Sequence, residues 1–122
     1  MRLWHQNLIP YLPCIKTTGD RKKNQLGGQW AEIWMIHGSI KKHGKVNHST
    51  VNYVNDHPID YLSQYAYLVM QELKKRGFKI NPTKEALLCC YNPDGLVYPE
   101  HNDEYLKECL DNLASKGINI KL

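Results

Sequence analysis

The chain has 122 residues, of which 42% are hydrophobic, 10% aromatic and 23% charged, and its formal net charge is +4. These values exclude a disordered tail and predict one domain with a core of modest size. No apolar run approaches the roughly 20 residues that cross a membrane, and the start lacks the apolar region of a signal peptide, so we expect a cytoplasmic protein with no membrane partner.

The charge is divided unevenly along the chain. Residues 1–81 hold 12 Lys and Arg against 5 Asp and Glu, whereas residues 82–122 hold 4 against 7. A basic two-thirds with an acidic remainder favours a face that binds a polyanion such as a nucleic acid. The counts alone also fit a slightly basic protein that has no such partner.

The cysteine pattern does not indicate a metal site. The chain has four cysteines, Cys14, Cys89, Cys90 and Cys109, and none belongs to a Cys-x-x-Cys pair. We predict reduced, mostly buried thiols, with disulfides as the alternative, and neither a metal ion nor a cofactor.

The N-terminal segment, residues 1–13, mixes apolar side chains with two prolines. Trp4, Leu8 and Leu12 are predicted to pin it to the core, which would hold the α-amine in a defined place, whereas most termini fray. Residues 14–24 are predicted to form a loop. Its three consecutive basic residues are interpreted either as a solvated tip or as a contact for a polyanion.

Residues 25–37 are predicted to form a helix that begins near two adjacent glycines and ends at Gly38. Glu32 is the only acidic residue between Asp20 and Asp56, and basic residues surround it in sequence. No Lys or Arg lies three or four residues away, so no ion pair within the helix explains it. Such an isolated carboxylate is either a structural counter-ion or a catalytic group.

Residues 39–50 are strongly basic. They either line a phosphate backbone or form a solvated loop. The side chains concerned are Lys41, Lys42, His43, Lys45 and His48.

Three further helices are predicted, over residues 57–76, about 84–90 and about 103–116. The first has a core stripe of Leu62, Tyr65, Val69 and Leu73. Asn81 precedes the second as its cap. The similar endings after the first and third are interpreted as shared stop signals and not as an internal repeat. No strand pairing is evident.

Five short motifs follow one another along the chain at characteristic spacings. They are Met1-Arg2-Leu3-Trp4-His5, Gln29-Trp30-Ala31-Glu32, Gly38-x-x-Lys41-Lys42-His43, Glu72-Leu73-Lys74-Lys75-Arg76-Gly77-Phe78 and Tyr98-Pro99-Glu100-His101. In order and spacing they resemble the pyrimidine-dimer DNA glycosylases of the phage endonuclease V type, and most closely their small bacterial branch. The resemblance covers most of the chain.

This resemblance implies an all-α, compact, single-domain helical bundle over residues 1–122 that binds damaged double-stranded DNA as a monomer. It implies that the α-amine of Met1 attacks C1′ of a damaged nucleotide to give an imine, and that β-elimination then cuts the strand. Glu32 would be the catalytic carboxylate. An α-amine suits this role because its ordinary pKa of about 7.7–8.0 leaves a usable neutral fraction at pH 7.

The resemblance also implies which residues contact DNA. Arg2 would clamp a phosphate near the lesion, and its bulk should prevent removal of Met1. The full set of expected contacts is Arg2, His5, Arg21, Lys22, Lys23, Lys41, Lys42, His43, Lys45 and His48.

Two positions depart from the family pattern, because Ala31 and Met35 stand where basic residues are expected, and about ten residues around 14–23 are inserted relative to the bacterial relatives. The lesion that is recognised therefore stays open.

One alternative function is that of a non-catalytic nucleic-acid-binding relative in which Glu32 is only a counter-ion. Another is a metal-dependent hydrolase that uses histidines from the set His37, His43, His48 and His101.

Overall fold

The computed structural model of the protein describes residues 2–14, 24–90, 92 and 94–122. In chain order, these residues form a 3-10 helix at Gln6–Tyr11, helix α1 at Gln25–His43, a second 3-10 helix at Asn52–Asp56, and helices α2 at Ile59–Lys75, α3 at Pro82–Leu88 and α4 at Asp103–Ser115. The described ranges contain no β-strand, in agreement with the predicted all-α class.

Helix α2 is the central element of the fold. Helix α1, helix α3 and both 3-10 helices pack against it. The predicted core stripe is confirmed, since Leu62, Tyr65, Val69 and Leu73 are all buried. Burial of a side chain of this size contributes about 1.5–3 kcal/mol to folding, which makes this stripe a main source of stability.

Helix α1 is longer than predicted, and the prediction that it ends at Gly38 was wrong. The helix passes through Gly38 and ends at Gly44, which has φ 78° and donates its N–H to the Ile40 carbonyl at 2.7 Å. A glycine inside a helix costs about 1 kcal/mol relative to alanine. Continued packing of Ile36 and Ile40 on the core offsets that cost.

Helices α2 and α4 end in the same way. After α2, Gly77 has φ 89° and the Phe78 N–H donates to the Leu73 carbonyl at 3.0 Å. After α4, Gly117 has φ 82° and the next residue donates its N–H to the Leu113 carbonyl at 2.9 Å. Both are left-handed glycine endings that satisfy the last helical carbonyls. The interpretation as shared stop signals is confirmed.

The predicted cap of the short helix α3 is also confirmed. The Asn81 side chain accepts hydrogen bonds from the backbone N–H groups of Thr83 and Lys84. Because Pro82 occupies the first helical position, α3 begins and ends two residues earlier than predicted.

The N-terminal segment is anchored as predicted. Trp4, Leu8 and Leu12 are all buried. Arg76, directly after α2, donates to the carbonyls of Pro10 and Leu12, which ties the end of the segment to the central helix. The backbone from residue 2 onwards therefore has a fixed path over α1 and α2.

The four cysteines are free thiols, as predicted. Cys89 and Cys109 are buried, Cys14 is partly buried and Cys90 is exposed. Burial raises the pKa of Cys89 to about 11, so this thiol is unreactive at neutral pH. Within the described part of the chain, no helix is long and apolar enough to span a bilayer.

Candidate active site

A cleft of about 270 Å³ opens between the N-terminal segment, helix α1 and the end of helix α4. Its walls come from parts of the chain that are far apart in sequence: Arg2, Trp4, Gln25, Gly28, Gln29, Glu32, Thr50, Asn112 and Lys116. The fold therefore brings Glu32 and Arg2, two of the predicted site residues, into one cleft.

Glu32 is partly buried in this cleft. Its Oε2 atom is buried, and no residue in the described ranges donates a hydrogen bond to it. Burial raises the pKa of Glu32 above its ordinary value, while the positive charges of the N-terminal amine and of His48 act in the opposite direction. An acid whose buried oxygen has no partner among these residues is suited to accept a proton or to stabilise a cation in the cleft.

Gln29 lies about one turn before Glu32 on α1 and holds the N-terminal segment. Its Nε2 donates to the Arg2 carbonyl at 3.0 Å, and its Oε1 accepts from the Trp4 backbone N–H at 3.0 Å. The side chain is only 3% exposed, and an unpaired amide there would cost about 1–3 kcal/mol. These bonds fix the start of the described chain close to the carboxylate.

The guanidinium group of Arg2 lies between two neighbouring clefts. It contacts Oε1 of Glu108 at 3.3 Å, and its Cζ lies 5.7 Å from the centroid of the Tyr105 ring. Arg2 and Thr50 also line a second cleft of about 270 Å³, which contains the side chains of Tyr53, Tyr105 and Glu108. The predicted phosphate-binding cation is thus at the edge of the Glu32 cleft, held by an exposed acid.

Lys116 is a cleft residue that the sequence analysis did not identify. It follows the last residue of α4, and its Nζ lies 5.3 Å from the centroid of the Trp4 ring. No sequence pattern indicates this role, because a lysine at a helix end is ordinarily explained by the helix dipole. Its approach to Trp4 depends on the packing of the two ends of the chain.

The comparison with known protein families gives a match that covers most of the chain. Residues 1–86 match the family model described as pyrimidine dimer DNA glycosylase. The chain belongs to the pyrimidine dimer DNA glycosylase family. The resemblance drawn from the motifs is therefore confirmed, and the matched part includes Arg2, Gln29 and Glu32. Helix α4 with Lys116 lies beyond the part that matches the family. No curated protein and no solved structure matched the chain.

The predicted DNA-contacting residues of α1 do not share one face. Lys41 follows Glu32 by about two and a half turns, which turns it to the opposite side of the helix. Lys41 lies about one turn after His37. Burial lowers the pKa of His37, and the charge of Lys41 lowers it further. His43 follows Glu32 by about three turns and so lies on the side of the cleft. Lys42 is exposed between them.

The two predicted residues that follow α1, Lys45 and His48, are both exposed. His48 is the nearer to the cleft, because its Nδ1 lies 2.9 Å from Oγ1 of Thr50, a residue of the cleft wall. Its charge is also one of those that act on Glu32. His48 and His43 thus place two imidazole side chains beside the cleft, along one side of the molecule.

His5 needs a correction, because it was expected to contact DNA and is instead buried, with 4% of its surface exposed. Its Nδ1 accepts the Asn7 backbone N–H at 3.1 Å and so caps the first 3-10 helix. Its ring stacks on His101 with centroids 5.4 Å apart, and burial lowers the pKa of His5. A ring enclosed in this way cannot reach a phosphate, so we assign His5 a structural role.

Four other predicted site residues lie outside the described residues: Met1, Arg21, Lys22 and Lys23. Their roles stay predictions. The two positions that depart from the family pattern, Ala31 and Met35, are exposed on α1. Neither supplies a cation at this surface.

A larger groove of about 590 Å³ lies between the first 3-10 helix and α2. Its walls include Ile9, Tyr11, Leu68 and Glu72, and the Glu72 carboxylate is bound by Nε of Arg76 at 2.9 Å. The acid of this groove is thus paired, whereas Oε2 of Glu32 in the smaller cleft has no partner among the described residues.

The histidines considered for a hydrolase do not form a ligand set. Across residues 2–14, 24–90, 92 and 94–122, no three His, Cys, Asp or Glu side chains come together as a metal site. His101 is enclosed in the core, where burial lowers its pKa to about 3.

Proposed function

We propose that the protein is a DNA glycosylase with AP-lyase activity that acts on damaged double-stranded DNA. In this proposal the α-amine of Met1 is the nucleophile and Glu32 is the catalytic carboxylate. Two findings support it: the chain belongs to a family described as pyrimidine dimer DNA glycosylase, and the partly buried Glu32 shares a cleft with residue 2.

The reaction begins when the neutral amine attacks C1′ of the damaged nucleotide. A bond forms between the amine nitrogen and C1′ while the glycosidic bond breaks, and the base leaves with the bonding electrons and takes up a proton. Opening of the sugar ring gives a protonated imine. Loss of a proton from C2′ then expels the 3′ phosphate, which cuts the strand by β-elimination.

Glu32 assists this sequence through its charge and its basicity. Positive charge develops on the sugar as the glycosidic bond breaks and persists in the iminium, and a nearby carboxylate stabilises both. Because burial raises the pKa of Glu32, its carboxylate is a better proton acceptor than a surface glutamate. The same group can therefore help to move protons from the amine and the sugar.

The hydrogen bond between Gln29 and the Arg2 carbonyl is the observation that carries the proposal. It holds the backbone of residue 2 about one helical turn from Glu32. The nucleophilic amine is attached to the preceding residue, whose Cα lies about 3.8 Å along the chain. In this proposal, a fixed residue 2 limits how far the amine can lie from the carboxylate.

DNA binding would use the cations around the cleft. We assign phosphate contacts to Arg2 and Lys116 at its walls and to His43 and His48 beside it. Lys42 and Lys45 would contact flanking phosphates, and Lys41, on the far side of α1, would contribute only to the general attraction. The proposed contacts outside the described residues are Arg21, Lys22 and Lys23.

The test is borohydride trapping on duplex DNA that contains a single abasic site. The expected result is a covalent protein–DNA adduct whose cross-linked residue is Met1, identified by peptide mass spectrometry. Glu32→Gln should form the adduct at least about tenfold more slowly, since about 1.4 kcal/mol of lost charge stabilisation has that effect. A fusion to residue 1 should abolish the adduct. Trapping through a lysine, or full activity of the fusion, would overturn the proposal.

A second candidate function is DNA binding without catalysis. It is favoured by Ala31 and Met35, because this surface of α1 lacks two cations that the family pattern supplies. It predicts that the protein binds abasic duplex DNA, loses affinity with rising salt and forms no trapped adduct. The trapping experiment therefore separates the two functions.

A further inference from the structure

The backbone of residues 2–6 is held by side chains from three separate parts of the fold. Besides the two bonds to Gln29, the Tyr65 hydroxyl donates to the Trp4 carbonyl at 2.8 Å. The Tyr105 hydroxyl donates to the Leu3 carbonyl, and Nδ1 of His101 accepts the Gln6 N–H at 3.1 Å. A chain terminus usually frays, so this number of side-chain bonds to its backbone needs an explanation.

No other amino acid at position 29 would make the same contacts as Gln29. The Arg2 carbonyl can only accept, and the Trp4 N–H can only donate, so the orientation of the amide is fixed. Oε1 also lies 2.9 Å from the Tyr65 hydroxyl, whose single proton it shares with the Trp4 carbonyl. A carboxylate there would lack the donor, and an aliphatic side chain would lack both groups.

The other two contacts come from the part of the chain beyond the family match. Because Nδ1 of His101 accepts a backbone N–H, its ring proton lies on Nε2, which is 2.8 Å from the Tyr53 hydroxyl. Tyr105 lies on α4 and is partly buried. Residues 98–116 thus hold the N-terminal segment through contacts that are separate from those of α1.

We propose that Gln29, Tyr105 and His101 are positioning residues that hold the N-terminal segment so that the α-amine faces Glu32. This inference rests on the proposed function and adds to it the residues that set the geometry of attack. Misplacement of a reacting group by about 1 Å can cost about a hundredfold in rate. The clamp formed by Gln29, Tyr105 and His101 therefore acts on the chemical step and not on DNA binding.

The experiment compares single-turnover trapping rates with DNA affinity. Gln29→Met keeps the length of the side chain but removes its hydrogen bonds to Arg2, Trp4 and Tyr65. Tyr105→Phe keeps the ring but removes the bond to Leu3. We expect trapping to slow by about tenfold or more in the first variant and by about threefold in the second. The Kd for duplex DNA with a non-reactive abasic analogue should change by less than about twofold.

Gln64→Met is the matched control. Gln64 is also a buried glutamine, with 4% of its surface exposed, and its Oε1 accepts the Asn92 backbone N–H at 2.8 Å, away from the cleft. It should lose a similar amount of stability but keep the wild-type trapping rate. If Gln29→Met and Gln64→Met trap at equal rates, whether fast or slow, the clamp does not position the amine. If the wild-type protein forms no adduct, it is the proposed function that fails.

Discussion

Arg2 and Glu108 meet at the edge of the cleft, with Nη1 of the arginine 3.3 Å from Oε1 of the glutamate. The two residues lie at opposite ends of the chain, and the Glu108 side chain is 58% exposed. Under the proposed function, this carboxylate occupies the place next to Arg2 that a phosphate would take in a complex. DNA binding would then exchange one anionic partner of Arg2 for another.

Glu108→Gln should tighten DNA binding. Removal of the competing carboxylate leaves Arg2 free for a phosphate. An exposed pair of this kind is worth about 0.2–1 kcal/mol, so we expect the Kd to fall by about 1.4-fold to fivefold at low salt. The gain should shrink as salt screens the interaction. Fluorescence anisotropy with an abasic-analogue duplex at two salt concentrations measures both effects.

Asp111→Asn serves as the control for that prediction, because it removes the same charge from the exposed side of α4. Glu108 and Asp111 line one surface groove, and it is Glu108 that contacts Arg2. If both variants tighten binding equally, the gain comes from net charge and the exchange at Arg2 is not needed.

Lys116→Gln should weaken DNA binding. The lysine lies at the cleft wall next to Trp4, and loss of one phosphate contact should raise the Kd by roughly fivefold to tenfold. The slope of log K against log salt should become shallower by about one unit. Lys107→Gln, on an exposed part of α4, should change neither value by as much. Equal effects of the two substitutions would remove Lys116 from the binding site.

The parts of the fold that could be predicted from sequence are those set by local chemistry. The helix ends at Gly77 and Gly117 follow from a left-handed glycine and the hydrogen bonds next to it, which a short stretch of sequence determines. Gly38 and Gly44 carry the same local signal. Packing of Ile40 on the core decides between them, and that packing depends on distant residues.

The candidate site divides in the same way. Glu32 was predicted because an isolated acid among basic residues is visible in the sequence. Gln29 and Lys116 were not predicted, because a neutral amide and a helix-end lysine are unremarkable until the fold brings them to Trp4. His5 was misassigned because its position near the terminus says nothing about its burial, which depends on His101.

Substitutions at Gly38 and Gly44 should have opposite effects on stability. At Gly38 a Cβ atom would meet nothing within 4 Å inside a continuous helix, so Gly38→Ala should stabilise the protein by about 0.5–1 kcal/mol. At Gly44 the φ of 78° is unfavourable for alanine, and Gly44→Ala should destabilise it by about 1–2 kcal/mol. Urea denaturation measures both. A loss of stability in Gly38→Ala would contradict a helix that continues through this position.

His101 should make the protein sensitive to acid. Burial lowers the pKa of His101 to about 3, and the charge of His5 acts in the same direction. In the unfolded chain this histidine has an ordinary pKa of about 6.5. Between these values the unfolded state binds a proton that the folded state does not. The free energy of unfolding should therefore fall as the pH is lowered through this range, by up to about 1.4 kcal/mol per pH unit from this group.

His101→Asn tests this assignment through the slope of stability against pH. Urea titrations between pH 6.5 and 5 should give a shallower slope in the variant than in the wild-type protein, although the variant is less stable at pH 7 because the bond to Tyr53 is lost. His43→Gln, which removes an exposed histidine at the end of α1, is the comparison variant. A histidine that the fold keeps neutral must contribute to this slope. An unchanged slope in His101→Asn would therefore mean that the acid sensitivity arises from other groups.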